Sequence, residues 1–172
     1  MSDNNIAKQK FEEGMSDFLS GEYERSITGF SAALDVDSSF KLALKSRGAA
    51  YFKSNRLQEA IADFDRLINM DPNNARAYHM RGLAYEKTGD FDRALGDFNR
   101  SIEHNPEYGA AYYSRAILHT KMGDTDQAAS DMKMVTHLTE VNIETFANEN
   151  NIWRSQQLRL ESMHDDDLAM ER

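Results

Sequence analysis

Residues 47–53 read Arg-Gly-Ala-Ala-Tyr-Phe-Lys, and residues 81–87 read Arg-Gly-Leu-Ala-Tyr-Glu-Lys. The two stretches begin 34 residues apart and share five of their seven residues. The same step forward reaches Arg115 and Lys121, and the step back from residue 48 reaches Gly14. A fixed period of this size is the sequence signature of a repeat architecture. The period divides the chain into four units, which span residues 7–40, 41–74, 75–108 and 109–142.

The second half of each unit repeats with the same period. Three sets of residues stand in phase there: Ala60, Ala94 and Ala128; Phe30, Phe64, Phe98 and Met132; and Pro72 and Pro106. Each unit has the apolar periodicity of two short amphipathic helices around a turn, as in residues 42–54 and 57–70. Gly21, Gly89 and Gly123 stand at equivalent turns, where glycine can adopt the positive φ that ends a first helix.

Small, aromatic and proline residues recur in the units at a spacing that resembles the tetratricopeptide repeat. The positions that carry the resemblance are Gly48 and Gly82, Tyr51 and Tyr85, Ala60 and Ala94, Phe64 and Phe98, and Pro72 and Pro106. The outer units depart from the pattern, with Ser38 and Glu140 in place of proline and Ala116 in place of glycine. The resemblance implies an all-α, right-handed helical-repeat solenoid of four helix-turn-helix units, in which stacked neighbours bury a continuous core.

The sequence beyond the period predicts a different kind of segment. Ile143, Phe146, Trp153 and Leu160 follow at helical spacing in a polar run, which predicts a capping helix over residues 143–160. In the alternative reading, Trp153 belongs to an interaction surface. Residues 161–172 hold five acids and one arginine, and we expect this acidic tail to be disordered. We expect residues 1–6 to form a flexible N-terminus.

Composition argues against several classes of function. A net charge of −9 opposes binding to nucleic acid, and no stretch is apolar enough for membrane insertion. The absence of cysteine excludes thiolate chemistry and fits a cytoplasmic protein. The five histidines lack metal-ligand spacing, and no phosphate-binding loop or nucleophile elbow is present. We therefore expect no enzyme activity, no metal site and no cofactor.

Three arginines recur sixteen residues before three aspartates, in the pairs Arg47 and Asp63, Arg81 and Asp97, and Arg115 and Asp131. The first unit has Glu13 and Gly29 at these places, so both partners are lost together. We interpret the pairs as bridges that tie the two helices of a unit, bidentate where geometry allows. The alternative is that the arginines grip an acidic ligand.

The resemblance also implies a binding site, because in the family the first helices line a concave groove. Carried over to this chain, the groove residues are Phe11, Met15, Phe18, Leu42, Lys45, Ala49, Phe52, Lys53, Arg76, His79, Met80, Leu83, Glu86, Lys87, Tyr113, Ser114, Ile117 and Lys121. Those of units two to four include five cations and one acid, which favours a peptide with acidic and apolar side chains. Alternatively, Lys53, Lys87 and Lys121 only solvate the ends of their helices.

The resemblance favours a protein-binding function, as an adaptor or assembly factor that holds a partner segment in the groove. Chaperone-binding members of the family grip a terminal carboxylate with lysine and asparagine side chains. Here those places hold Phe11 and Met15 in the first unit, or Lys45 with Ala49, Met80 and Ser114 one unit later, which disfavours a heat-shock-protein cochaperone. Two rival functions remain open: a self-associating scaffold, and a dedicated secretion or assembly chaperone for one client.

Overall fold

The computed structural model describes residues 3–149, which form eight α-helices and no strand. The all-helical prediction is therefore confirmed over this range. The helices are α1 (Asp3–Leu19), α2 (Tyr23–Val36), α3 (Lys41–Lys53), α4 (Leu57–Met70), α5 (Ala75–Thr88), α6 (Phe91–His104), α7 (Gly109–Met122) and α8 (Thr125–Glu149). Helices α3, α5 and α7 begin at the first residues of the units read from the sequence. No helix within residues 3–149 has both the length and the apolar character needed to cross a membrane.

The helices stack in chain order, so that the first helices of neighbouring units lie side by side. Each helix packs against the next one, and α1, α3, α5 and α7 also contact one another in sequence. The first helices run parallel, because Ser114 of α7 meets His79 of α5 and Lys121 meets Glu86, which are two pairs of the same offset. The first helices thus form one continuous row along the stack.

The turns between the paired helices share one backbone conformation. Gly21, Gly89 and Gly123 have φ values of 79°, 83° and 87°, in the left-handed region that glycine tolerates best. Asn55 occupies the same phase in the second unit and has a φ of 61°. The next amide then bonds back across the turn, as from Asp90 to the carbonyl of Tyr85 at 3.0 Å. The glycine signal therefore marks a real turn, and asparagine can replace it.

The core of each of the first three units is a glycine facing a phenylalanine ring. Phe64 and Phe98 are fully buried. A Cβ atom added at Gly48 would lie 2.7 Å from Phe64, and one added at Gly82 would lie 2.7 Å from Phe98. The first helix must therefore have no side chain at this position, so that the phenylalanine ring can pack against its backbone. In the fourth unit the corresponding pair is Ala116 and Met132.

Each Arg–Asp pair joins three helices. Arg81 donates from Nε and Nη2 to the carboxylate of Asp97 at 2.8 and 2.7 Å. Its Nη1 donates to Asp65 of the preceding unit at 2.6 Å. Arg47 pairs with Asp63 and Ser31 in the same way, and Arg115 with Asp131 and Asn99 (Nε or Nη to O distances of 2.6–3.0 Å). The hydrogen bonds raise the pKa of Arg81, so the guanidinium stays charged.

Two boundaries in the structure differ from the sequence-based ones. The N-terminal segment expected to be flexible is helical from Asp3, whose carboxylate in the first turn suits the positive end of the helix. Helix α8 continues through residue 142 to Glu149, so the repeat and the expected capping helix share one helix as far as it is described. Glu140 stands where Pro72 and Pro106 end the second helices, and glutamate allows a helix to continue. The remainder of the expected capping helix and the acidic tail lie outside the described residues.

Candidate binding groove

A groove of about 750 Å³ lies against the first helices of units one to three. Its volume falls in the range of sites that enclose a ligand, and it is large enough for several side chains. The residues that line it are Phe11, Met15, Phe18, Lys41, Leu42, Lys45, Ser46, Ala49, Phe64, Leu67, Asn74, Arg76, Ala77, Met80 and Tyr108.

The apolar part of the groove is held in place by aromatic packing beneath it. The ring of Phe11 lies 5.5 Å from that of Phe30 and 5.2 Å from that of Phe40, between centroids. Phe18 packs on Phe30 at 6.5 Å. Because Phe30 is fully buried, these contacts fix the side of the groove that α1 supplies. The neighbouring Met15 is half-buried and offers a flexible, polarisable surface.

Three cations surround this apolar surface. Lys41, Lys45 and Arg76 are all exposed, and no lining residue is acidic. Within residues 3–149, none of the three forms an ion pair. Lys41 and Arg76 lie in the first turns of α3 and α5, which contain no acid, and the helix dipoles there add further positive potential. The groove edge is therefore electropositive on an acidic chain.

Some of the residues that were expected to form the groove line it, and the others do not. Phe11, Met15, Lys45, Ala49, Arg76 and Met80 line it, together with Phe18 and Leu42. The other expected residues lie outside its lining: Phe52, Lys53, His79, Leu83, Glu86, Lys87, Tyr113, Ser114, Ile117 and Lys121. Tyr113 and Ile117 are exposed on α7, whereas Leu83 packs against the core around Phe98. The groove is thus shorter than the resemblance implied.

Two of the expected groove lysines have partners within the molecule. Lys121 Nζ lies 2.6 Å from Oε1 of Glu86. Lys87 Nζ lies 5.0 Å above the ring centroid of Phe52, a cation–π distance. These contacts join neighbouring first helices near their C-terminal ends. Of the cations that were expected to face the groove, Lys45 and Arg76 line it.

His79 and Ser114 were expected to contact a ligand, but both side chains are buried between α5 and α7. Nε2 of His79 is 2.9 Å from Oγ of Ser114, and Nδ1 is 3.2 Å from the hydroxyl of Tyr108. Burial lowers the pKa of His79 from 6.5 to about 4, so the ring is neutral at pH 7. A neutral ring satisfies both contacts, because each hydroxyl can donate or accept. The pair is therefore a link between units.

Sequence reasoning missed Lys41, Asn74 and Tyr108, which lie at the junctions between units. Asn74 caps α5, because its Oδ1 accepts from the amide of Ala77 at 3.0 Å. The Arg76 guanidinium carbon lies 5.9 Å from the ring centroid of Tyr108. Asn74 and Tyr108 are 34 residues apart. The shared phase indicates that the two residues occupy equivalent places in their units. Both residues precede the first helix of the following unit, so they lie outside the helix face that was predicted to line the groove.

The described residues contain no group of three or more His, Asp or Glu side chains that could hold a metal ion. The groove lining carries ammonium, guanidinium, amide, hydroxyl and apolar groups. Such groups bind carboxylates and apolar side chains without changing them covalently.

Family comparisons identify the repeats in the middle of the chain. Residues 48–89 match the family model described as TPR repeat, and residues 75–108 match the one described as tetratricopeptide repeat. No curated protein matches the chain in sequence.

Solved structures share the fold at low sequence identity. MamA from Desulfovibrio magneticus RS-1 superposes with a TM-score of 0.74 and 21% identity, over 80% of this chain and 77% of that one. The Arabidopsis OM64 TPR domain gives 0.67 and 19%, over 70% and 99%. The first TPR of Spaghetti (RPAP3), bound to the HSP90 peptide SRMEEVD, gives 0.66 and 22%, over 70% and 95%. At these identities the likeness is one of fold.

Proposed function

Because this chain is a member of the tetratricopeptide-repeat family, we propose that its groove holds a segment of a partner protein bearing carboxylates and apolar side chains. The chain would then act as an adaptor or assembly factor, which contributes a rigid binding surface and no covalent chemistry. The fold alone does not specify this function, so the proposal depends on the groove itself.

The observation that carries the proposal is the charge around the groove. Lys41, Lys45 and Arg76 are exposed beside an apolar surface and have no acidic partner within residues 3–149. The chain as a whole has a net charge of −9, so this concentration of positive charge runs against its composition. A carboxylate placed there gains charge-assisted hydrogen bonds without displacing an existing ion pair.

The apolar surface suits the other half of such a ligand. Met15, Leu42 and Met80 come from three different first helices, so a bound side chain would contact several units at once. Methionine side chains adapt to ligands of different shape. An extended or helical segment with an apolar anchor beside one or more acids fits this arrangement. The solved neighbour Spaghetti, whose peptide SRMEEVD combines Met and Val with three acids, supports such a mode for this fold.

Affinity capture from the native cell extract tests the proposal. The groove variant carries Lys45→Glu and Arg76→Glu, and the matched control carries Arg100→Glu and Lys133→Glu. All four side chains are exposed and both variants change the net charge equally, so only the location differs. Circular dichroism checks that both variants keep the helicity of the wild type.

We expect wild type and control to retain a partner that the groove variant loses. The Kd of this partner should rise tenfold or more in the groove variant, because its carboxylates would face two reversed charges. Partners retained equally by all three proteins would contradict the proposal and move the site to another surface. Partners lost from both variants would show a dependence on net charge alone.

Self-association is a second candidate function, favoured by the outer surface of α8. Met132, Met134, Val141 and Ile143 are exposed there, which is unusual for so many large apolar side chains on one helix. Sedimentation velocity over a hundredfold range of concentration tests this candidate. A mass that rises with concentration supports self-association, and a constant monomer mass contradicts it.

A further inference from the structure

We infer that a second copy of this chain packs on the open end of the stack, with the two α8 helices antiparallel about a two-fold axis between residues 137 and 138. The open end is the surface that α7 and α8 present beyond the fourth unit, and it is formed by Tyr113, Ile117, Met132 and Ile143, which are all exposed. This inference rests on the second candidate function, self-association, because it assigns an interface to it. The groove takes no part in this interface.

The open end corresponds to a surface that is covered in the third unit. His79 and Phe98 precede Tyr113 and Met132 by one period of 34 residues. Both are buried, because His79 bonds to a side chain of α7 and Phe98 packs in a core cluster with another. Tyr113 and Met132 are 51% and 41% exposed, since α8 contacts α7 alone among the described helices. The fourth unit therefore presents the kind of surface that a further helix covers elsewhere in the fold.

A stripe of four side chains runs along α8 on this side. Met132, Thr136, Thr139 and Ile143 follow one another at steps of four, three and four residues, so they lie on one face of the helix. All four are exposed. Alternating steps of three and four residues are typical of the seam between two paired helices. The stripe therefore suits a second helix that lies alongside α8.

The stripe reads alike from both ends, as an antiparallel pair of identical helices requires. Large apolar side chains lie at its two ends, and threonines lie at its centre. About an axis between residues 137 and 138, Met132 lies level with Ile143 of the second copy. Thr136 lies level with Thr139 of the second copy. Apolar side chains then meet apolar ones, and each threonine hydroxyl meets a group that can donate or accept a hydrogen bond.

Charges beside the stripe select the antiparallel direction. Lys133, Glu140 and Glu144 are exposed and lie towards the side of α8 opposite Asp131, which bonds to α7. None of the three forms an ion pair within the described residues. In the antiparallel pair, Lys133 lies level with residue 142 of the second copy, between Glu140 and Glu144 of that copy. A parallel pair would instead place lysine against lysine and glutamate against glutamate.

A second copy that continued the stack with its own first unit would fit this surface poorly. On α7, Ser114 and Leu118 pack against the third unit. The repeat-related residues of α1 are Glu12 and Ser16, and both are exposed. Such an arrangement would place a carboxylate and a hydroxyl against the apolar side chains of the open end. Symmetric pairing through α8 is therefore the arrangement that the surface favours.

The groove remains accessible in this assembly. Its lining residues run from Phe11 to Tyr108, so none of them belongs to α7 or to the described part of α8. The pair of copies would therefore hold two partner segments at once. Each copy alone would still bind one segment, so the capture control that carries Lys133→Glu keeps its partner.

Sedimentation equilibrium of the full chain tests the interface. The variant carries Ile143→Arg, and the matched control carries Val141→Arg, a site that is also exposed but lies on the other side of α8. Circular dichroism checks that both variants keep the helicity of the wild type. We expect wild type and control to dimerise with the same Kd. Ile143→Arg should raise that Kd tenfold or more, because the interface would enclose two guanidinium groups without acidic partners.

A single Kd for wild type, variant and control would overturn the proposed interface and leave self-association to another surface. A wild-type chain that stays monomeric over a hundredfold range of concentration would overturn both. The groove proposal is tested separately, by the partner that the Lys45→Glu, Arg76→Glu variant loses.

Charge reversal tests the antiparallel direction. One variant carries Lys133→Glu, and the other carries Glu140→Lys and Glu144→Lys. We expect each variant alone to dimerise about tenfold more weakly than wild type, because like charges would face each other. An equal mixture should form a mixed dimer, since every reversed charge then faces an opposite one. No loss for either variant alone would indicate a parallel pair, and a mixture that stays monomeric would also overturn the inference.

Disulfide trapping gives a readout that does not depend on affinity. The chain contains no cysteine, so introduced thiols report on their own positions. Chains with Thr136→Cys and chains with Thr139→Cys are mixed and oxidised, and the control mixture carries Ser130→Cys and Thr145→Cys, on the other side of α8. We expect disulfides between positions 136 and 139, at a higher yield than in the control mixture. Equal yields in the two mixtures, or disulfides that join only identical positions, would overturn the inference.

Discussion

The third and fourth repeat units share a period but not a core. In the third unit, Phe98 is 0% exposed and its ring lies where Gly82 leaves room for it. In the fourth unit the equivalent residues are Ala116 and Met132, and Met132 is 41% exposed. The backbone turns are nevertheless alike, with φ values of 83° at Gly89 and 87° at Gly123. The units therefore agree in local geometry and differ in packing.

The difference follows from the number of neighbours. Helix α6 packs between α5 and α7, whereas α8 packs only against α7 within residues 3–149. A ring that would be enclosed in the third unit has only one supporting helix in the fourth. Stacking on a following unit therefore encloses the core of the third unit, and the fourth unit lacks this contribution within residues 3–149.

Truncation of the two equivalent core residues tests the difference in packing between the two units. We expect Phe98→Ala to lower the free energy of unfolding by about 3 to 5 kcal/mol, because it removes a fully buried ring. Met132→Ala should cost less than about 1.5 kcal/mol, since much of that side chain is already in water. Urea unfolding at equal m-values measures both, and similar losses would show that the fourth unit is as tightly packed as the third.

The arginine bridge gives a second, smaller contrast. Arg81→Gln leaves the largely buried Asp97 without its cation, and Asp97→Asn leaves Arg81 with Asp65 as its acidic partner. Each change should lower stability by about 2 kcal/mol. In a double-mutant cycle we expect a coupling energy of about 1 to 2 kcal/mol. The same cycle at Arg115 and Asp131 should give a higher value, since Arg115 contacts neutral Asn99 where Arg81 contacts a second acid, Asp65. Additive effects in both cycles would show that the pairs contribute nothing to stability.

The junction of the two units should make stability depend on pH. The pKa of His79 is lowered from 6.5 to about 4, so the unfolded chain binds a proton that the folded chain excludes. Stability from this residue is complete above pH 6.5 and is lost as the pH falls towards 4. Between pH 7.5 and 5.5 we expect a loss of about 1 kcal/mol from His79.

His79→Gln should remove that pH-dependent loss, and His137→Gln, an exposed site on α8, should retain it. The measurement is chemical unfolding at the two pH values. The same loss in both variants would assign the pH dependence to other titratable groups and contradict the role of His79.

The smallest effects should be equal in the two units. Gly89→Ala and Gly123→Ala each place a Cβ at positive φ, at a cost of about 1 kcal/mol, and neither Cβ meets an atom within 4 Å. Gly96→Ala lies within α6 in equally open space and should stabilise the chain by about 0.5 to 1 kcal/mol. Thermal unfolding of the three variants separates the cost of the backbone conformation from crowding. A neutral Gly123→Ala would show that the turns of the two units differ.

The period predicted much of the fold because it fixes where helices begin. The starts at Lys41, Ala75 and Gly109 follow from counting, and so does the contact of Arg81 with Asp97. The extension of α8 did not follow, because the end of a repeat pattern does not by itself end a helix. Glu140 replaces the proline of the inner units, so the residue that ends the other second helices is missing from α8.

The groove was harder to predict, because a helix face includes residues that pack against neighbouring helices as well as residues that line the groove. His79 and Ser114 project towards each other across neighbouring helices, so helical spacing alone placed them on the wrong side of a packing contact. The pairing of Lys121 with Glu86 depends on an offset between helices that no single helix encodes. Phe11, Met15 and Lys45 do line the groove, because they lie on the helix face opposite the core.

We expect ligands to bind the groove and not the exposed surface of α8. Methyl NMR of a chain labelled at methionine tests it directly, because Met15 and Met80 line the groove while Met132 and Met134 lie on α8. On addition of the purified captured partner, we predict shifts or broadening at Met15 and Met80, with Met132 and Met134 unchanged. The opposite pattern, changes at Met132 and Met134 alone, would contradict the account.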